Sequence, residues 1–201
     1  STINGDANVP FYLELANQEV SAEDIPVVAF SVGEEELSGL DTEPLVGHLA
    51  AWNYFQSIEG ATNSEFIANW KQRMGPDRTT NDPMEAHFIG FNMWVAAVEQ
   101  AGTTDVDAVL EALPGTETPN LTGGIARLLP NHHLTKPVFI GEVRADGQFD
   151  VVWQTDNLVE GDAWTDFLPG SQDTEADWVD PAINCGNYNT QTGVCSATNF
   201  E

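Results

Sequence analysis

The chain is predicted to be an α/β protein, because short apolar runs bounded by turn residues alternate with segments of helical periodicity. Val27 to Ser31 follows Pro26 as a compact apolar run, the pattern of a buried parallel strand. Met84, Phe88, Phe91, Val95 and Val98 recur at spacings of three and four, which predicts a long helix stopping at Gly102. In the stretch Pro130 to Trp153, Val138, Ile140 and Val143 lead into Asp146-Gly147, and Phe149, Val151, Val152 and Trp153 follow. Glycine accepts the positive φ of a tight turn, so this stretch reads as an edge hairpin.

Ser1-Thr2-Ile3 reads as the end of a strand, and Asn8 is placed to cap a helix running through Phe11 and Leu15. The strand at Val27 is followed by Gly33-Glu34-Glu35-Glu36-Leu37, a helix start whose acids favour the positive end of the dipole. Leu45 to Phe55 reads as a strand of mixed polarity leading away from this sheet. Ser64 to Met74 is a helix ended by Gly75, Asp82 can cap the long helix, and Thr104 can cap Val106 to Leu113 before Pro114-Gly115. Gly123-Gly124 reads as a turn, since no Lys-Ser/Thr follows to make a phosphate cradle. From Asn157 to Glu201 the chain becomes a polar tail with Trp164, Phe167 and Trp178 as apolar anchors.

Thirty-two acidic residues against six basic ones give a formal charge of -26. A phosphate backbone needs a basic stripe, so nucleic acid is excluded as a partner. The acids are spread along the chain as a solvated surface, and such self-repulsion is best screened in a saline habitat. No apolar run approaches the roughly 18 to 20 residues needed to cross a bilayer. Neither a signal peptide nor an anchor is visible, so export would require a leader that was removed or left out. Cys185 and Cys195 flank a polar loop with little apolar surface of its own. A disulfide there would contribute about 2 to 3 kcal/mol and implies an oxidising compartment.

The wording of Pro130 to Trp153, with NHH, KP, IGE and ADGQFD in that order, resembles type 1 periplasmic solute-binding proteins and is most similar to their urea-binding and short-amide-binding members. That resemblance implies two Rossmann-like lobes joined by a three-stranded hinge, of which this chain is the C-terminal portion. It implies lobe-two strand-helix units over 1–45, a hinge crossing and lobe-one helical segment over 46–135, and the returning hairpin and tail over 136–201. It further implies a periplasmic, non-catalytic component of an ABC importer, with permease subunits as membrane partners, no cofactor, and urea or a short aliphatic amide as ligand. A branched-chain amino-acid-binding protein and an amide-sensing regulator on the same scaffold are the alternatives.

Ligands of open α/β sheets bind beyond the C-terminal ends of the strands. The resemblance matches Thr2 to Asn8 and Ser31 to Glu34 to ligand-bearing loops, so Thr2, Asn4, Asp6, Asn8, Ser31 and Glu34 are candidate contacts, joined by Glu85 at the start of the long helix. Urea and amides carry N–H donors and one carbonyl, for which these loops offer carboxylate, amide and hydroxyl groups. Structural readings compete: Asn8 as a cap, Asn4-Gly5-Asp6 as a turn, Glu34 to Glu36 as a charged first turn, and Trp52 and Tyr54 as hinge packing. His132-His133 lacks metal-ligand spacing and reads as a loop corner, and Asn120-Leu121-Thr122 fits a glycosylation sequon by chance.

Overall fold

The computed structural model describes residues 1–164, 166–167, 169–173, 188–189 and 194–195. Two compact units are present, Ser1–Gly161 and Asp162–Glu201. In the second, a 3-10 turn covers Ser171–Asp173, and Tyr188–Asn189 pairs antiparallel with Val194–Cys195. Of the residues expected as anchors, Trp164 is half-exposed and Phe167 is 98% exposed. Trp178 and the expected Cys185–Cys195 bridge lie outside the described residues and side chains.

The first unit runs α1 (Asn8–Asn17), β1 (Val28–Ala29), α2 (Glu34–Leu37), β2 (Leu49–Trp52), α3 (Ala61–Met74), α4 (Asp82–Ala101), α5 (Val106–Ala112), β3 (Glu117–Pro119), β4 (Ile125–Arg127), β5 (Thr135–Lys136), β6 (Phe139–Val143), β7 (Phe149–Gln154) and β8 (Val159–Glu160). A four-stranded sheet has the order β1-β2-β6-β7, parallel between β1 and β2 and antiparallel thereafter. Thus β2 is an inner strand and does not lead away from the sheet, because its backbone pairs with β1 on one side and β6 on the other. The strand expected over Val27 to Ser31 is shorter and only partly buried: Ala29 is buried, while Val28 and Phe30 are exposed. Ser1 lies alongside it, its nitrogen donating to the Val28 carbonyl at 2.8 Å and its carbonyl accepting from Phe30 N–H at 3.1 Å.

The expected hairpin forms, with β7 at the sheet edge and a register shift between Ile140 and Gly141. Gly141 lies against the Phe55 ring, and a Cβ there would stand 2.6 Å from Phe55 Cζ and 3.0 Å from Phe149 Cβ. Phe55 and Phe149, both fully buried, have ring centroids 4.7 Å apart and join Tyr12, Val32, Leu37, Leu45 and Val143 in the largest core. Gly123 and Gly124 both have positive φ in the β3–β4 turn, as expected of that pair. The β3–β4 and β5–β8 ladders have no counterpart in the sequence pattern, being two or three residues long.

Three helix details differ from expectation. Asn81, not Asp82, caps α4, its Oδ1 accepting Met84 N–H at 3.1 Å. Asp105, not Thr104, caps α5 by accepting Ala108 N–H. The buried row of α4 is Glu85, Ile89, Met93 and Ala97, whereas Phe88 and Phe91 are exposed. Periodicity gave the helix correctly and its buried face wrongly, because a carboxylate occupies the inward row.

Candidate functional site

Strand β2 delivers Trp52 to Gln56 into a buried polar cluster fed by α2, α4 and β5. Asn53 N–H donates to Asp82 Oδ2 at 2.9 Å, and Asn53 Nδ2 donates to the Pro137 carbonyl at 2.6 Å. Tyr54, fully buried, donates its hydroxyl to Asn63 Oδ1 and shares a hydrogen bond with Thr80 Oγ1, each at 2.8 Å. Gln56 joins three segments: its N–H donates to Glu34 Oε1 at 2.7 Å, its Oε1 accepts Thr80 N–H at 2.8 Å, and its Nε2 donates to Gln148 Oε1 at 2.9 Å.

The three successive acids of α2 take three different environments. Glu36 accepts Gly33 N–H at 2.9 Å and caps the turn. Glu35 points outward to Arg78 and Thr79, both at 3.1 Å. Glu34 shares the inward face with Leu37, one helical turn on, and is 1% exposed. Its Oε1 is fixed by Gln56, while its Oε2 is buried with no hydrogen-bond partner. Burial pushes the Glu34 carboxyl up to about 7, against the stabilising Gln56 N–H and with added repulsion from Asp82 and Glu36.

Glu85 is fully buried and paired with Lys136, itself buried. Burial also raises the carboxyls of Asp82 and Glu85, and the Lys136 ammonium opposes the rise in both. Lys136 therefore serves the α4 carboxylates, and Glu34 has no such counter-ion in hydrogen-bond contact.

Glu34 lines a hollow of about 300 Å³ together with Thr42, Asp77, Thr79, Asp146 and Gln148. A larger hollow, about 500 Å³, lies over Ser57, Thr122, Phe139 and Arg144. There the cation is already paired with Asp146 and Asp150, so the smaller hollow, lined by a buried acid with one unpartnered oxygen, is the better ligand candidate. Among the described residues no group of three or more His, Cys, Asp or Glu is arranged to hold a metal ion.

Of the residues singled out from sequence, Thr2, Asn4 and Asp6 are exposed. Asn8 does not cap α1; it is 1% exposed and its Nδ2 donates to the carbonyls of Ile3 and Gly5 at 3.0 and 3.2 Å. Ser31 Oγ donates to the same Ile3 carbonyl at 2.5 Å, so Asn8 and Ser31 are brought together by the loop's backbone. Glu34 and Glu85 turn inward to separate partners, Gln56 and Lys136. Sequence reasoning missed Lys136, Gln56 and the role of Asp82. A lysine set in the apolar wording LTKPVFI, in a chain with six basic residues, was the available signal for the first. Tyr54, expected as hinge packing, is packed and also hydrogen-bonded. His132 has a positive φ of 65° at the expected loop corner, and Asn120 of the sequon is 1% exposed, out of reach of glycosylation in the folded chain.

Residues 1–170 match the model of the periplasmic binding protein domain family. The fold is similar to an amino acid ABC transporter substrate-binding protein from Pseudomonas fluorescens Pf-5, with TM-score 0.65 and 17% identity over 76% of this chain and 42% of that one. It is equally similar to an ABC transporter solute-binding protein from Rhodopseudomonas palustris BisB5 in complex with 3,4-dihydroxybenzoic acid, TM-score 0.65 and 17% identity over 79% and 44%. A branched chain amino acid ABC transporter periplasmic ligand-binding protein from Burkholderia xenovorans LB400 gives TM-score 0.63 and 14% identity over 77% and 42%. The chain is also 33% identical over 113 residues to a Geobacillus stearothermophilus protein named limonene hydroxylase, covering 56% of this chain and 21% of that protein. The chain thus spans about a fifth of that curated relative and less than half of these solved structures.

Proposed function

The chain belongs to the periplasmic binding protein domain family, with the α/β fold of type 1 solute-binding proteins, and from that premise we propose that it is the periplasmic, non-catalytic solute-binding component of an ABC importer. We propose urea or a short aliphatic amide as its ligand. The observation that carries this reading is the buried Glu34 carboxyl, held at Oε1 by Gln56 and unpartnered at Oε2, in a residue that lines a hollow of about 300 Å³. A small ligand with donors and one carbonyl matches such a group. Thr2, Asn4 and Asp6 are proposed as further polar contacts from the N-terminal loop, which Asn8 and Ser31 hold in place through Ile3. Glu85 acts through Lys136 on the same cluster. Transport coupling requires the ligand to favour a closed arrangement that permease subunits in the membrane recognise.

A branched-chain amino acid is the second reading, favoured by the amino-acid transporter proteins among the similar structures and by the ability of a carboxylate to receive an ammonium group. A thermal-shift screen of the full-length protein with urea, acetamide, formamide, leucine and glutamate separates the two, because a ligand stabilises the native state by RT ln(1 + [L]/Kd). Stabilisation by urea or acetamide and not by leucine is expected. Stabilisation by leucine alone would replace the first reading with the second.

A further inference from the structure

Resting on that reading, we infer that Glu34 meets its ligand as the neutral carboxylic acid, with Oε2–H donating to a carbonyl oxygen, so that the site selects an uncharged carbonyl compound and discriminates against an ammonium group. The geometry carries this. Glu34 Oε1 accepts Gln56 N–H, and Oε2 is buried with nothing to accept. An ionised oxygen left unpaired in such a place costs far more than a neutral hydroxyl.

Asp82 at the start of α4 and Glu36 on the same helix add to this cost by repulsion. The other acids around it are Glu35 on its own helix, Glu85 on α4, and Asp77 and Asp146 along the hollow. Tyr54, the remaining titratable neighbour, is held above its usual range and stays neutral. The nearby cations are committed elsewhere: Arg78 to Glu35, Arg144 to Asp146 and Asp150, Lys136 to Glu85. The carboxyl is correspondingly raised to about 7. As an acid it presents one O–H donor, the complement of an amide or urea carbonyl, and its proton need not be displaced for binding. An amino acid would instead require ionisation of Glu34 as its ammonium arrives, releasing a proton.

Titration calorimetry of the full-length protein with acetamide, in two buffers of different ionisation heat, reads both affinity and proton exchange. Affinity is expected to be level below about pH 6 and to fall about tenfold per pH unit above about pH 8, with close to one proton taken up per acetamide bound in the alkaline arm. Glu34→Gln, which keeps a donor in place of the hydroxyl, is expected to flatten the profile and to bind acetamide about 100-fold more tightly than the parent at pH 9. Proton release on binding, an affinity rising with pH, or a Glu34→Gln profile as steep as the parent's overturns the inference while leaving the amide reading intact. If neither acetamide nor urea binds the parent at any pH, the amide reading fails and the inference falls with it.

Discussion

The backbone N–H of Gln56 and the carboxylate of Glu34 meet at 2.7 Å, and through the Gln56 side chain this bond reaches both Thr80 before α4 and Gln148 in the hairpin. One residue thus fixes the buried acid and joins three segments that come together only in the folded chain. Gln56→Ala keeps the backbone bond but strands Thr80 N–H, which is fully buried with its residue. The expected loss is about 1 to 3 kcal/mol of stability, measured by guanidinium unfolding, since urea is a candidate ligand. An unchanged midpoint would show that the bridge contributes nothing.

The Lys136–Glu85 pair is buried on both sides. Lys136→Met leaves two buried carboxyls, Glu85 and Asp82, without their common cation. A loss of about 3 to 5 kcal/mol is expected. Adding Glu85→Gln to Lys136→Met should restore much of it, because the charge that needs pairing is then gone. A double variant as unstable as Lys136→Met alone would place the cost in packing instead.

Stability should fall as the solution turns alkaline. The Glu34 carboxyl is raised from 4.5 to about 7 in the folded chain, so the folded state holds the proton more tightly than the unfolded one. Its contribution is fully present below the ordinary carboxylate range and is lost as pH rises through about 7. The amount is on the order of 3 kcal/mol, and Asp82 and Glu85 act with the same sign. Melting curves from pH 5 to 8 should show a smaller decline for Glu34→Gln than for the parent; parallel declines would mean that Glu34 ionises freely.

Gly141→Ala places a methyl 2.6 Å from the Phe55 ring. The ring is packed on Phe149 and cannot withdraw without opening the core. About 1 to 3 kcal/mol of destabilisation is expected from such overpacking. A variant with parental stability would show that the core has slack beside the hairpin.

Legibility of the fold followed the range of the interactions that make it. The β6–β7 hairpin was readable because Asp146-Gly147 and the strand residues act within a few positions of one another. Helix α4 was readable as a helix, but its inward face was not, since Glu85 takes a buried position only because Lys136 arrives from 51 residues away. The caps Asn81 and Asp105 each lie one residue from the expected position, because two capable capping types stand side by side there. At the candidate site Glu34 was legible as an acid following a strand, but the divergence of Glu34, Glu35 and Glu36 was not. Their partners Gln56, Arg78 and Gly33 are set by tertiary placement for the first two and by the local turn for the third.

Contact between Glu34 and a small ligand is tested most directly by calorimetric titration of the full-length protein with acetamide, comparing Glu34→Ala with Glu35→Ala. At a pH below about 6, Glu34→Ala should lose about 0.5 to 1.5 kcal/mol of binding, the range for a hydrogen bond between neutral groups. Glu35→Ala, which removes an exposed pair with Arg78, should bind as the parent does. Equal affinity for the parent and both variants would move the ligand site away from Glu34.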